Sequence, residues 1–191
     1  MWLSGFCSRP WSWRSLLLIA IAIGSVSVAA SDTAATLEAA ARRILPLGST
    51  IVRRTEILDD AQLEAVQKLS NTPASSRLVL HWIARGPEGG TPLAHAYADT
   101  HVVRTKPETL LILIDATGMV QRVEVVTFSE PPEYQVSERW LAQFTGQTLD
   151  PELALKRSIR VLSGATLSSQ AATDAVRRVL AIHRVIHTAA P

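Results

Sequence analysis

Of 191 residues only Cys7 carries a thiol. Everything after it therefore lacks the means for a disulfide, a thiolate nucleophile or an iron–sulfur cluster held by its own side chains. A surplus of one charge is also missing. Nineteen Lys and Arg stand against 17 Asp and Glu, and Arg9 and Arg14 fall in residues 1–30, which hold no acid. The remainder balances at 17 basic (19 − 2) against 17 acidic residues. The clustered Lys/Arg that a nucleic-acid groove requires is absent, and no nucleic-acid partner is expected. There is no GxxxxGK[ST] phosphate loop, no GxGxxG after a strand and no GxSxG nucleophile elbow. No internal repeat is visible, and no long apolar run occurs beyond the N-terminal segment.

What is present fits one packed domain with an added arm: the length is short for two domains, and 47% of the residues are hydrophobic. Arg9 and Arg14 precede the apolar run Leu16 to Ile23, which passes through small residues to Val28-Ala29-Ala30. A basic start, a short apolar stretch and a small-residue exit predict an export signal over 1–30, with Ala29 or Ala30 as the last residue removed. The alternative is an uncleaved membrane anchor. Ser15 to Ala30 is 16 residues, short of the ~20 that span a bilayer as a helix. Cys7 lacks the small apolar context of a lipid-modified cysteine.

Beyond the signal, Thr36 to Leu45 reads as a short helix ended by Pro46-Leu47-Gly48, and Ile51 to Thr55 as a strand. Asp59 or Asp60 then caps a second helix carrying Leu63, Val66 and Leu69. The loop Asn71 to Ser76 separates an N-terminal helical arm, 31–75, from the main domain, 76–191. There the period changes to two. Arg77 to Ala84 is a strand, Gly86 to Gly90 a turn and Leu93 to Arg104 extended chain. Leu110 to Asp115 is apolar up to its closing aspartate, which suits a central strand buried on both faces, and Val120 to Phe128 returns as its hairpin partner, with Val123 and Val125 inward. Ser137 starts a helix, Glu138 to Phe144, that stops at Gly146. Leu167 to His187 is the clearest helix, with Leu167, Ala171, Ala175, Val179, Ile182 and Ile186 as its apolar stripe and Arg177, Arg178 and Arg184 toward water. The expected fold is α+β: a twisted, mainly antiparallel sheet with helices on one side.

The stretch with chemical content is Leu162-Ser163-Gly164-Ala165-Thr166-Leu167-Ser168-Ser169, which joins an extended approach to the long helix. The first N–H groups of a helix lack internal partners and carry partial positive charge, so such a joint can receive an anion. Gly164 allows a tight turn and close approach. Thr166, Ser168 and Ser169 add hydroxyls, which elsewhere serve as ordinary helix caps. No metal site is expected. Of the five histidines only His183 and His187 have ligand spacing, at i, i+4, and with no acidic or cysteine partner nearby they read as a helix surface feature.

Ser163-Gly164-Ala165-Thr166-Leu167-Ser168-Ser169 resembles the flavinylation motif of the FMN-binding domain family, which includes the G subunit of Rnf-type electron transport complexes and the C subunit of the sodium-translocating NADH:quinone reductase. His95-Ala96-Tyr97-Ala98 is similar to the family's opening Gly-Tyr strand. Leu111 to Val120 with Val123 to Val126 resembles its central hairpin, and Trp140 to Gly146 its helix ending in Phe-x-Gly. Likeness extends over roughly residues 77–187. Three positions depart: Arg160 stands where the family often has an acid six residues before the threonine, and Phe128 and Pro131 replace the His and Thr of a His-x-Glu-Thr-Pro segment.

The resemblance implies FMN held by a phosphoester on Thr166 at the start of the C-terminal helix, placed there by an FAD:protein FMN transferase. Ser163, Gly164, Ala165, Leu167 and Ser168 surround the phosphate, and Glu130 lies toward the flavin ring or ribityl chain. Leu162 and Trp140 pack on the ring or in the core. It implies an electron carrier rather than a catalyst with its own substrate, located in the periplasm or on the outer face of the inner membrane, relaying electrons between a membrane redox complex and a cytochrome or another acceptor. A flavin-free interaction or assembly module of such a complex is the alternative.

Overall fold

The computed structural model describes residues 25–188. The expected export segment lies outside the described residues except for 25–30, which are helical. Among the described residues no helix is long and apolar enough to cross a membrane. The chain divides into two compact units, 1–35 and 36–191. The described part of the first is the beginning of helix α1 (Ser25–Ile44), and the rest of the fold belongs to the second.

Five strands, β1 (Thr50–Ile57), β2 (Leu78–Gly86), β3 (Gly89–Val102), β4 (Pro107–Asp115) and β5 (Val120–Phe128), form one sheet in the order β1-β2-β3-β4-β5. Every neighbouring pair is antiparallel. The α+β class with a C-terminal helix is as expected. Helices cover both faces, however, where the sequence pointed to one side. On the first face Leu37, Ala40, Ala41 and Ile44 of α1 and Leu45, the residue after it, pack on Trp82, Ala84, Ala94, Ala96, Leu111 and Leu113. Small alanines on β3 let the helix approach closely, and Trp82 Nε1–H donates to Glu38 Oε2 at 2.6 Å. The alternate residues of β4, Leu110, Ile112 and Ile114, face the other layer. The apolar run Leu110–Ile114 of β4 is thus explained: it is buried on both sides.

That second layer holds α2 (Asp60–Ser70), the short α3 (Glu138–Leu141) continued by a 3-10 turn, Ala142–Phe144, and the long α4 (Thr166–Thr188). Ala172, Ala175, Val176, Val179, Leu180, Ile182 and Val185 form the buried stripe of α4. This corrects the expected stripe at two places. Leu167 is 54% exposed. Arg178, expected in water, is 5% exposed and donates to both carboxylate oxygens of Asp99 on β3, at 2.9 and 2.7 Å. The strand beneath α4 is polar on that face, so the helix turns an arginine toward it. The stretch expected as an arm contributes an edge strand, β1, and a helix, α2, that packs against α4. Exposed Arg53 and Arg54 on β1 discourage pairing with another chain.

Candidate functional site: the start of the C-terminal helix

A tight turn delivers the chain into α4. The Ala165 N–H donates to Leu162 O at 3.1 Å across Ser163 and Gly164. Gly164 has φ +86°, and a Cβ placed there would meet nothing within 4 Å. Glycine is therefore required by backbone conformation, since L side chains disfavour positive φ, and not by crowding. The space above the turn is open.

Ala165 is the last residue before the helix, and its carbonyl accepts from the Ser169 N–H at 2.9 Å. A methyl group cannot accept a hydrogen bond. The other two helices that follow a loop start differently. Asp59 accepts from the Gln62 N–H at the head of α2, and Ser137 accepts from the Trp140 N–H at the head of α3. Among the described residues no side chain caps Thr166, Leu167 or Ser168, which leaves three backbone donors without side-chain partners at the positive end of a 23-residue helix.

Thr166 and Leu167 are exposed, as are Ser163 and Gly164, whereas Ala165, Ser168 and Ser169 are buried. Ser169 Oγ–H donates to Ala165 O at 2.8 Å and Thr173 Oγ1–H to Ser169 O at 2.7 Å, which pins the first turns from within. The structure thus places Ser163, Gly164, Ala165, Thr166, Leu167 and Ser168 at the entry to α4, with Ser163 and Thr166 as its exposed hydroxyls and Thr166 at the first helical position.

Beside the turn lies a cleft of about 600 Å³, walled by Ser137, Arg139, Trp140 and Gln143 on one side and by Ser158, Arg160, Val161 and Leu162 on the other. Its volume falls within the ~300–1,000 Å³ typical of small-molecule sites. The walls are tied together: Trp140 Nε1–H donates to Arg160 O at 2.7 Å, and the Arg160 N–H donates to Gln143 Oε1 at 2.9 Å. Trp140 is largely buried, with its ring edge-to-face against Phe144. Arg139 and Arg160 give the cleft two guanidinium groups and no carboxylate. Glu130 serves a different turn: its Oε1 accepts from the Thr105 N–H, the Thr105 hydroxyl and the Lys106 N–H at 2.7, 3.2 and 2.8 Å. These donors, with the Thr105 N–H foremost, hold its carboxyl below the usual range.

Two further polar groups, which local sequence patterns did not reveal, sit under α4 on β3. Toward the middle of the helix, Asp99 meets Arg178 and His101, and His101 Nε2 lies 3.2 Å from Glu108 Oε2. Burial acts to lower the His101 pKa, but the hydrogen bonds to Asp99 and Glu108 outweigh it and push it up to about 9. Toward the C-terminal end, His183 Nδ1 and His187 Nε2 lie 3.0 and 3.2 Å from the Tyr97 hydroxyl, and His95 joins them. Burial, then the neighbouring histidines, lowers His95 to about 3 and His183 to about 4. His183 and His187 are therefore more than a helix surface feature: the partner the sequence did not show comes from β3, 88 residues before His183.

The model of the FMN-binding domain family matches residues 105–181, from the turn before β4 to within two turns of the end of α4, and includes the whole Ser163–Ser169 turn. No curated protein matches the chain.

Proposed function

With residues 105–181 forming an FMN-binding domain, we propose that the chain is an electron-transfer flavoprotein carrying FMN as a phosphoester on Thr166. The observation that carries this reading is the uncapped start of α4. An exposed hydroxyl stands among three backbone donors without side-chain partners, at the positive end of a long helix, beside a cleft lined by two arginines.

The residues present fit the group. Gly164 keeps the approach to the backbone open, and the N–H groups of Thr166, Leu167 and Ser168 supply donors for phosphate oxygens. Arg139 and Arg160, the latter where the family often has an acid, add charge of the right sign, and Trp140 and Leu162 offer apolar surface at the cleft wall. Glu130 acts by shaping the 105–106 turn. For such a modification Thr166 Oγ would be the nucleophile toward the FMN-side phosphorus of FAD, its new bond replacing the pyrophosphate bond, with AMP as the leaving group and the hydroxyl proton taken up by the FAD:protein FMN transferase. Once bound, FMN supplies the redox chemistry, and the protein sets its access and surroundings.

An N-terminal segment with Arg9, Arg14 and an apolar run supports export to the periplasm or to the outer face of the inner membrane. There a covalent bond keeps the cofactor from being lost. A membrane redox complex as donor and a cytochrome as acceptor suit that location. Co-expression with an FAD:protein FMN transferase should give a chain that retains flavin fluorescence on a denaturing gel, and Thr166→Ala should be dark. Wild-type protein that stays dark while a known substrate is labelled would overturn the reading in favour of a flavin-free assembly module.

A further inference from the structure

We propose that His95, His183 and His187 form a binding site for one divalent transition-metal ion of the zinc class, which ties the C-terminal end of α4 to β3. The three side chains each offer one ring nitrogen, and these atoms all lie within 4.8 Å of one another. Tetrahedral zinc with nitrogen ligands at ~2.05 Å separates them by about 3.3 Å, so small side-chain rotations close the site. Helical spacing i, i+4 places His183 and His187 on one face of α4. That face lies over β3, where His95 and Tyr97, two residues apart, point to the same side.

Two observations point to a missing partner. His95 is 4% exposed, yet its Nδ1 has no hydrogen-bond partner. An orphaned buried nitrogen is costly, and a metal ion removes the cost. The rings are also crowded, with centroids 4.4 Å apart for His95–His187 and 4.6 Å for His183–His187. No carboxylate among the described residues hydrogen-bonds to any of the three, so a cation is the partner that lets all three nitrogens turn inward. Tyr97, placed against two of the rings, acts as a positioning residue.

Imidazole donors select zinc, copper or nickel over calcium and magnesium. A cavity of about 280 Å³ opens beside His183 and His187, between Thr117, Gly118, Leu149 and Leu180. It leaves a fourth position for water, as in three-ligand zinc sites. All three histidines lie outside the 105–181 family match, His95 before it on β3 and His183 and His187 after it on α4. It is also remote from Thr166: 17 to 21 residues of helix separate them, about 26–31 Å at 1.5 Å per residue.

The test uses the tag-free full chain, stripped with EDTA and titrated with zinc chloride alone. Metal content after desalting and the unfolding temperature are the readouts. One zinc per chain and a higher unfolding temperature are expected. His187→Gln, at an exposed position, should weaken retention by more than about tenfold while leaving the metal-free unfolding temperature near wild type. Thr166→Ala should bind zinc as the wild type does, so loss of flavin and loss of metal are read separately. Substoichiometric zinc in the wild type, or undiminished binding by His187→Gln, would overturn the proposal.

Discussion

Helices α2 and α4 begin in opposite ways. At α2, Asp59 accepts from the Gln62 N–H at 2.8 Å while Gln62 Oε1 accepts from the Asp59 N–H at 3.0 Å, closing a reciprocal box over the first turn. At α4 the same place is held by Ala165, whose methyl side chain can accept nothing, after a glycine at φ +86°. A missing cap costs about 1 kcal/mol, and α4 tolerates it because it is anchored elsewhere. Arg178 pairs with Asp99, and Arg177 donates to the carbonyls of Ser70, Leu153 and Asp150 at 2.7 to 2.9 Å. A closed start serves stability. An open one, held rigid from behind, suits the phosphoester proposed at Thr166.

The comparison breaks most visibly if the anchor is removed. Arg178→Ala leaves Asp99 buried beside Glu108, and should lower stability by about 3–5 kcal/mol, read from the urea midpoint. Replacing the pair together, Asp99→Leu with Arg178→Met, should cost less, because no lone charge remains.

Acid should act next, at the other end of α4. His95 is held at about 3, so the unfolded chain, with its histidine near 6.5, takes up protons first. The contribution of a neutral His95, faced by His183, His187, His81 and Arg85, is present above pH 6.5 and lost as pH falls toward 3. Between pH 6.5 and 5 it amounts to about 2 kcal/mol. His101 runs the other way. Faced by Asp99, Glu108, Arg178 and Asp174, it is raised to about 9, and its contribution is full below pH 6.5 and lost as pH rises through 9. Chemical denaturation from pH 4 to 10 should show greatest stability near pH 6.5, falling toward acid through His95 and toward pH 9 through His101, and a flat profile would contradict this.

The caps themselves give the smallest effects and the sharpest contrast. Asp59→Ala should destabilise by about 1 kcal/mol and leave flavinylation alone. Ala165→Ser should stabilise by about 0.5 kcal/mol and slow flavinylation, because the new hydroxyl takes a donor meant for phosphate. Ala165→Asp should stop it. Equal labelling of all three would remove the link between an open start and the cofactor.

Much of this frame could be read in the sequence, because it rests on local signals. The apolar run Leu110–Ile114 reads as a strand buried twice, Asp59 reads as a cap, and Gly164 reads as a tight turn into the long C-terminal helix. Residues that answer to distant partners could not be read. Arg178 looks solvent-facing until Asp99 is known to lie beneath it. His183 and His187 look like surface residues until β3 brings His95. Leu167 fits the apolar period of α4 but lies before the helix reaches the sheet, and stays exposed. Covering of the sheet's first face by α1 depended likewise on the small residues Ala94 and Ala96 of a strand 50 residues away.

The central claim is the bond at Thr166, and intact mass spectrometry tests it most directly. Protein co-expressed with an FAD:protein FMN transferase should gain the mass of one FMN less one water, located by fragmentation to Thr166 and absent from Thr166→Ala. An unmodified wild type beside a labelled control substrate, or the same added mass on Thr166→Ala, would contradict it.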